Sequence, residues 1–160
     1  MFQLRLICMG KLKEQFYLSA AGEYAKRLRA FCDFALIELP ECRLPEAPNP
    51  TQIAQGLSEE AARIRAKIPK GSFFCVFAPE GKHLSSPELA GTLGGVKSSG
   101  KSCACFLIGS SFGVDAGLKA QADLLLSMST MTFPHHLARV MALEQLYRAE
   151  SIQAGTKYHK

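Results

Sequence analysis

At 160 residues, 48% of them hydrophobic and 21% charged, the chain is long enough to bury a core and too apolar for widespread disorder. Its formal net charge of +5 permits an anionic partner without requiring one, because the lysines and arginines are spread along the chain. No apolar run approaches ~18 residues, which excludes a membrane-spanning helix, and the short Phe2–Met9 run, interrupted by Arg5, does not read as a secretory leader; a cytoplasmic protein without membrane association is expected.

Phe2–Met9 is an apolar, alternating run that stops at Gly10 and reads as a strand, followed by the polar connection Lys11–Glu14. From Gln15 to about Ala30, the four-residue spacing of Phe16, Ala20, Tyr24 and Leu28 predicts an amphipathic helix. Phe31–Leu39 is a second strand, closed by Pro40. The stretch Pro40–Pro50 holds four prolines and reads as a loop. Thr51 is a candidate cap for a helix running to about Ile68, ended by Pro69 and Gly71.

Ser72–Ala78 has the continuous apolarity of a strand covered on both faces. Pro79-Glu80-Gly81-Lys82 then reads as a turn, and Ser86-Pro87-Glu88 as a helix start. Gly91, Gly94 and Gly95 predict that this helix is short or broken. Ser102–Ile108 is another buried strand, running into Gly109-Ser110-Ser111-Phe112-Gly113. A short helix over Asp115–Ala122, a last strand over Asp123–Ser127 and a helix over His135–Ser151 complete the elements, before a polar tail, Gly155–Lys160. Strands alternating with helices predict one α/β domain spanning residues 1–160, with a mostly parallel sheet.

The six cysteines (Cys8, Cys32, Cys42, Cys75, Cys103, Cys105) form no CxxC pair, and most lie in apolar runs, so reduced core thiols are expected. The His135-His136 pair lacks the spacing of a zinc helix, and no metal is expected. Neither GxGxxG nor GxxxxGK[ST] occurs, which argues against a dinucleotide-binding fold and a P-loop.

In an open parallel sheet ligands bind beyond the carboxyl ends of the strands. Three such ends carry loops able to meet a ligand with main-chain groups: Phe77–Gly81, Ile108–Gly113 and Ser127–Pro134. In the final helix, apolar residues cover much of the circumference, so burial by a second neighbour, a partner subunit, is expected. Its Glu144 and Arg148 stand four apart, as in a simple helix ion pair, while Arg139 could grip a phosphate.

Taken in order, Gly10–Glu14, Glu23–Leu28, Glu80–Ser86, Phe106–Gly109, Ser127–His135, Arg139 with Glu144–Ala149, and Tyr158-His159-Lys160 resemble the ribosomal RNA large-subunit pseudouridine N3-methyltransferases of the SPOUT superfamily. The resemblance runs from end to end. It implies an α/β fold tied into a C-terminal trefoil knot, a homodimer, S-adenosylmethionine as cofactor, and methylation of a pseudouridine in a stem-loop of 23S rRNA within the large subunit or whole ribosome. It assigns cofactor contacts to Phe77, Gly109, Met128, Ser129, Thr130, Met131, Thr132 and Phe133. Catalytic roles fall to His135, Arg148, Tyr158 and His159, and substrate contacts to Arg139, Glu144 and Tyr147. The chain departs from relatives at Phe77, where many have leucine, at His136, and at Ser110, where a second glycine is usual; if that position needs a positive φ, serine costs ~1 kcal/mol or shifts the loop. Another RNA specificity within the superfamily, or an inactive ribosome-binding module, are the alternative readings.

Overall fold

Apolar runs bounded by Gly, Pro and polar residues form the strands of the computed structural model, which describes all 160 residues. They are β1 (Gln3–Met9), β2 (Asp33–Leu39), β3 (Phe73–His83), β4 (Cys103–Ile108) and β5 (Leu124–Ser127). Their order in the single sheet is β2-β1-β4-β3-β5, with every neighbouring pair parallel. The helices are α1 (Gln15–Leu28), α2 (Pro50–Arg65), α3 (Ser86–Ser98), α4 (Ala116–Ala120) and α5 (His135–Gln153).

Strand β4 shows why the fold has three layers. All six of its residues are buried, and successive side chains point to opposite faces. Ala104, Phe106 and Ile108 join Leu28, Leu93, Leu143 and Leu146 in a core under α1, α3 and α5. Cys103, Cys105 and Leu107 join Ala61, Ile64 and Leu118 in a second core under α2 and α4. Five of the six cysteines lie inside these cores, and only Cys42 is partly exposed.

Several sequence expectations need correction. Helix α2 begins at Pro50 and is capped by Asn49, not Thr51: Asn49 Oδ1 accepts from the Gln52 amide, and Gln52 Oε1 from the Asn49 amide. Helix α3 is capped by Ser85, one residue before the predicted helix start at Ser86, with Glu88 closing a second reciprocal box. It runs unbroken through Gly91, Gly94 and Gly95, because Leu89, Ala90, Leu93 and Val96 are buried beneath it. Tertiary packing overrides the weak local propensity.

The predicted turn at 79–82 lies inside a longer β3. Phe77 and Lys82 both register with Leu126, so the residues between them arch around β5. At Gly81 a Cβ would stand 2.6 Å from the Leu125 carbonyl carbon and the Leu126 nitrogen; only glycine fits under this arch. Helix α5 packs between α1 and α3 of its own chain, burying Ala142, Leu143, Leu146 and Ala149, while Leu137, Val140 and Met141 stay partly exposed.

Candidate functional site

A cavity of about 480 Å³ opens where β3 begins its arch, at Phe77–Pro79, and at the carboxyl ends of β4 and β5, within the usual size range of small-molecule sites. Phe77, Gly109, the run Met128–Phe133 and His135 all line it. Every predicted cofactor residue therefore meets in one place. Pro79 and Ser111, within two of the predicted ligand loops, join them, whereas sequence reasoning missed Val114 and Lys119 on the same wall; both are ordinary loop or helix residues whose position only the fold reveals.

Two features make the wall receptive. The first is the tight turn after β4. At Gly109 a Cβ would meet Gly113 O and Val114 Cγ2 at 2.5 Å, and Gly113 takes φ +94°. The Gly113 amide donates to Ser110 O at 2.9 Å. No residue other than glycine has a positive φ, so Ser110 sits in its turn without strain, contrary to the cost entertained from sequence. Its hydroxyl donates to Glu60 Oε1 at 2.9 Å. The second feature is the main chain of residues 128–133, which makes no main-chain-to-main-chain hydrogen bond. Only side chains serve it: Ser127 Oγ donates to Ser129 O, and the Met131 amide donates to Ser129 Oγ, each at 3.0 Å. The remaining donors and acceptors stay available to a ligand or solvent. At the rim, Lys119 Nζ holds Glu80 Oε1 at 2.7 Å and keeps that carboxyl below the usual carboxylate range.

His135 opens α5 at the cavity edge. Its Nδ1 is 3.5 Å from Ser111 Oγ and its Nε2 3.9 Å from Glu41 Oε1, with the His136 ring edge-on at 4.3 Å. Burial, then the neighbouring His136, lowers its pKa from the ordinary 6.5, so the neutral ring prevails at neutral pH and can accept a proton. His136 itself leans toward Glu14, 3.8 Å away. No group of three His, Cys, Asp or Glu side chains is gathered to hold a metal ion.

The other predicted residues form a separate cluster on α5. The tail folds back so that Tyr158 Oη donates to Glu144 Oε1 at 3.0 Å, and Arg148 Nη1 donates to His159 Nδ1 at 3.2 Å. Arg148 also pairs with Glu144 and lies 4.8 Å from the Tyr158 ring centre. The simple helix ion pair therefore exists, but as one link of a network. Burial, reinforced by Glu144, pushes the Tyr158 phenol up to about 12. Tyr147 stacks edge-on to Tyr158 at 4.6 Å and touches Tyr24 and Phe31 of the α1 side. At 1.5 Å per helical residue, His135 and Arg148 are ~20 Å apart. One chain does not bring them together.

Arg139 takes a different role from the predicted phosphate contact. Its side chain is 1% exposed; Nη1 donates to Glu38 Oε2 at 2.7 Å, and Nη2 to Met9 O and Gly10 O at 3.2 and 3.0 Å. Glu38 Oε2 also accepts from the Leu12 amide at 3.3 Å. Arg139 thus pins α5 to the end of β1 and cannot reach a phosphate. Glu38 and the buried Glu60 were missed by sequence reasoning. Their only sequence signal is an acid within an otherwise apolar strand end or inward helix face.

The chain matches a family model described as predicted SPOUT methyltransferase over residues 2–159. It is 41% identical, over 99% of both chains, to the ribosomal RNA large subunit methyltransferase H of Streptococcus pyogenes serotype M18. It is 40% identical over the full length of both to that of Moorella thermoacetica. Among solved structures, a probable methylase family protein from Haemophilus influenzae superposes with a TM-score of 0.52 at 13% identity, covering 98% of this chain and 70% of that one; this is a likeness of fold. With the fold, the loop-lined cavity and the end-to-end match agreeing, the chain belongs to the SPOUT methyltransferases, in the family of ribosomal RNA large subunit methyltransferase H.

Proposed function

We propose that this chain transfers a methyl group from S-adenosylmethionine to N3 of a pseudouridine in 23S rRNA. The observation that carries the reading is the 480 Å³ cavity walled by main chain with unengaged hydrogen-bonding groups at 128–133. Such a wall suits an adenine and ribose, whose edges are read by amides and carbonyls, while Phe77, Val114 and Met128 supply apolar surface. The residues fit the cofactor. When bound, it supplies a methyl already made electrophilic by the sulfonium.

The protein's tasks are then alignment and proton handling. The imide N3 must lose its proton for the new N–C bond to form, and the neutral His135 at the cavity edge is placed to accept it. Tyr158, His159, Arg148, Glu144 and Tyr147 form a hydrogen-bonded cluster whose aromatic rings and arginine can order a nucleotide and stabilise its anion. Because ~20 Å of α5 separates this cluster from His135, the two halves act on one nucleotide only if the cluster comes from a second copy. A homodimer with composite sites follows from the reading.

A chain of this size has little surface for a long RNA. A large subunit or whole ribosome in the cytoplasm, presenting a stem-loop by its shape, is therefore the expected substrate. Calorimetry with S-adenosylmethionine tests the cofactor reading, and absence of binding by the folded protein would favour an inactive ribosome-binding module. Labelled-methyl transfer to ribosomes should exceed that to free 23S transcript and vanish with ribosomes lacking the pseudouridine. Equal labelling of transcript, or labelling of tRNA instead, contradicts the specificity.

A further inference from the structure

Glu60 stands out among the ionisable groups of the molecule. It lies on the inner side of α2, is 4% exposed, and has no cationic partner among the ion pairs of the chain. A buried carboxylate is costly unless its oxygens are well satisfied. Here each oxygen serves a different loop. Oε2 accepts from the Cys42 amide at 3.0 Å, in the proline-rich segment after β2. Oε1 accepts from the Ser110 hydroxyl at 2.9 Å, in the turn after β4.

Both loops flank the proposed cofactor cavity. Ser110 and Ser111 line it, and they also line a smaller neighbouring cavity of about 280 Å³ whose opposite wall is Glu41, Cys42, Leu44 and Glu46. Glu41, one residue before the amide that Glu60 holds, faces His135 at 3.9 Å. Arg63 Nη1 donates to Pro40 O at 2.8 Å and ties the proline-rich segment to α2 alone. His135 also faces both loops, at the longer distances of 3.5 Å to Ser111 and 3.9 Å to Glu41; Glu60 hydrogen-bonds to both at 3.0 and 2.9 Å.

We infer that Glu60 is a positioning residue for the methyltransferase site: through Ser110 it fixes the β4 turn in its cofactor-binding shape and couples that turn to the Cys42 loop. Glu60 touches neither cofactor nor RNA. The inference rests on the reading of the cavity as the S-adenosylmethionine site.

A double-mutant cycle on S-adenosylmethionine binding, measured by calorimetry on the folded full-length protein, tests it. Ser110→Ala removes the hydroxyl and Glu60→Ala the acceptor; each should weaken binding about three- to ten-fold, the size of one hydrogen bond. Because both break the same link, the double variant should be no weaker than the weaker single variant. Glu60→Gln can still accept from the Cys42 amide and donate to the Ser110 hydroxyl, so it should bind within about twofold of wild type. Should Glu60→Ala fail to fold, Ser110→Ala and Glu60→Gln still decide the matter by these same expectations.

Cys42 supplies a readout that simple destabilisation would not move. It is the one cysteine not buried. Occupancy of the cavity should slow its reaction with a maleimide in wild type and leave the rate unchanged in Ser110→Ala, since coupling between sites is reciprocal. Additive losses in the cycle, a Ser110→Ala variant that binds as wild type, or cofactor protection of Cys42 that survives Ser110→Ala would overturn the inference. If wild type itself binds no S-adenosylmethionine, the reading of the cavity fails first.

Discussion

Arg139 illustrates how far a residue's chemistry depends on where the fold turns it. Its guanidinium serves Glu38 and the carbonyls of Met9 and Gly10, in the interior. Arg139→Met should lower unfolding stability by about 3 kcal/mol, the low end for a broken buried pair because Glu38 keeps a third of its surface exposed. Urea unfolding measures this; the folded fraction should bind S-adenosylmethionine as wild type does, whereas a phosphate-gripping arginine would lose RNA affinity and not stability. For His135 the pH argument has a definite sign. Burial depresses its pKa below 6.5, so the unfolded ring binds a proton more readily than the folded one. Its contribution to stability is present above about pH 6.5 and is lost as pH falls through the depressed value. Methyl transfer should fall over the same acidic range, and His135→Gln should abolish that limb of the rate profile. The cofactor residues were legible because they cluster in three loops. Arg139 was not, because its partner Glu38 lies 101 positions away and spacing within one helix does not say which face turns inward.

The ten elements were largely legible as elements. Periodicity marks a run as helix or strand, and bounding prolines and glycines mark where it stops, to within a few residues. The misreadings arose where packing outweighs local preference. Helix α3 persists through three glycines because its buried face is apolar. Gly91 and Gly95 have open space where a Cβ would stand, so replacing both with alanine should stabilise the protein by about 0.5–1 kcal/mol each. The melting temperature should rise by ~2–8 °C; no rise would mean that the helix is less continuous than described. Gly81→Ala should do the reverse. A Cβ against the Leu125–Leu126 main chain forces the arch off β5 and should cost about 3 kcal/mol. Sequence marked Gly81 as a turn residue; that the turn encloses another strand is a fact of three-dimensional crossing.

Across the whole molecule, the decisive feature is separation. The cavity loops gather around His135, while Glu144, Arg148, Tyr158 and His159 gather further along α5. Periodicity could not have shown this division, since both groups sit on or beside one helix. The arch of β3 around β5 was equally invisible in the residues, being a property of how two distant segments cross. If two copies complete each other's sites, mixing inactive His135→Ala with inactive Arg148→Ala subunits should restore about a quarter of wild-type activity: half the dimers are mixed, and each has one intact site. Failure to restore any activity in a proven mixed dimer would place both residues' action within one chain.

The reaction itself can be read most directly by nucleoside mass spectrometry of 23S rRNA from ribosomes incubated with this protein and S-adenosylmethionine. A methyl group gained on N3 of a single pseudouridine is the predicted result. Ribosomes that emerge with no added methyl, although the protein is folded and saturated with cofactor, would contradict it.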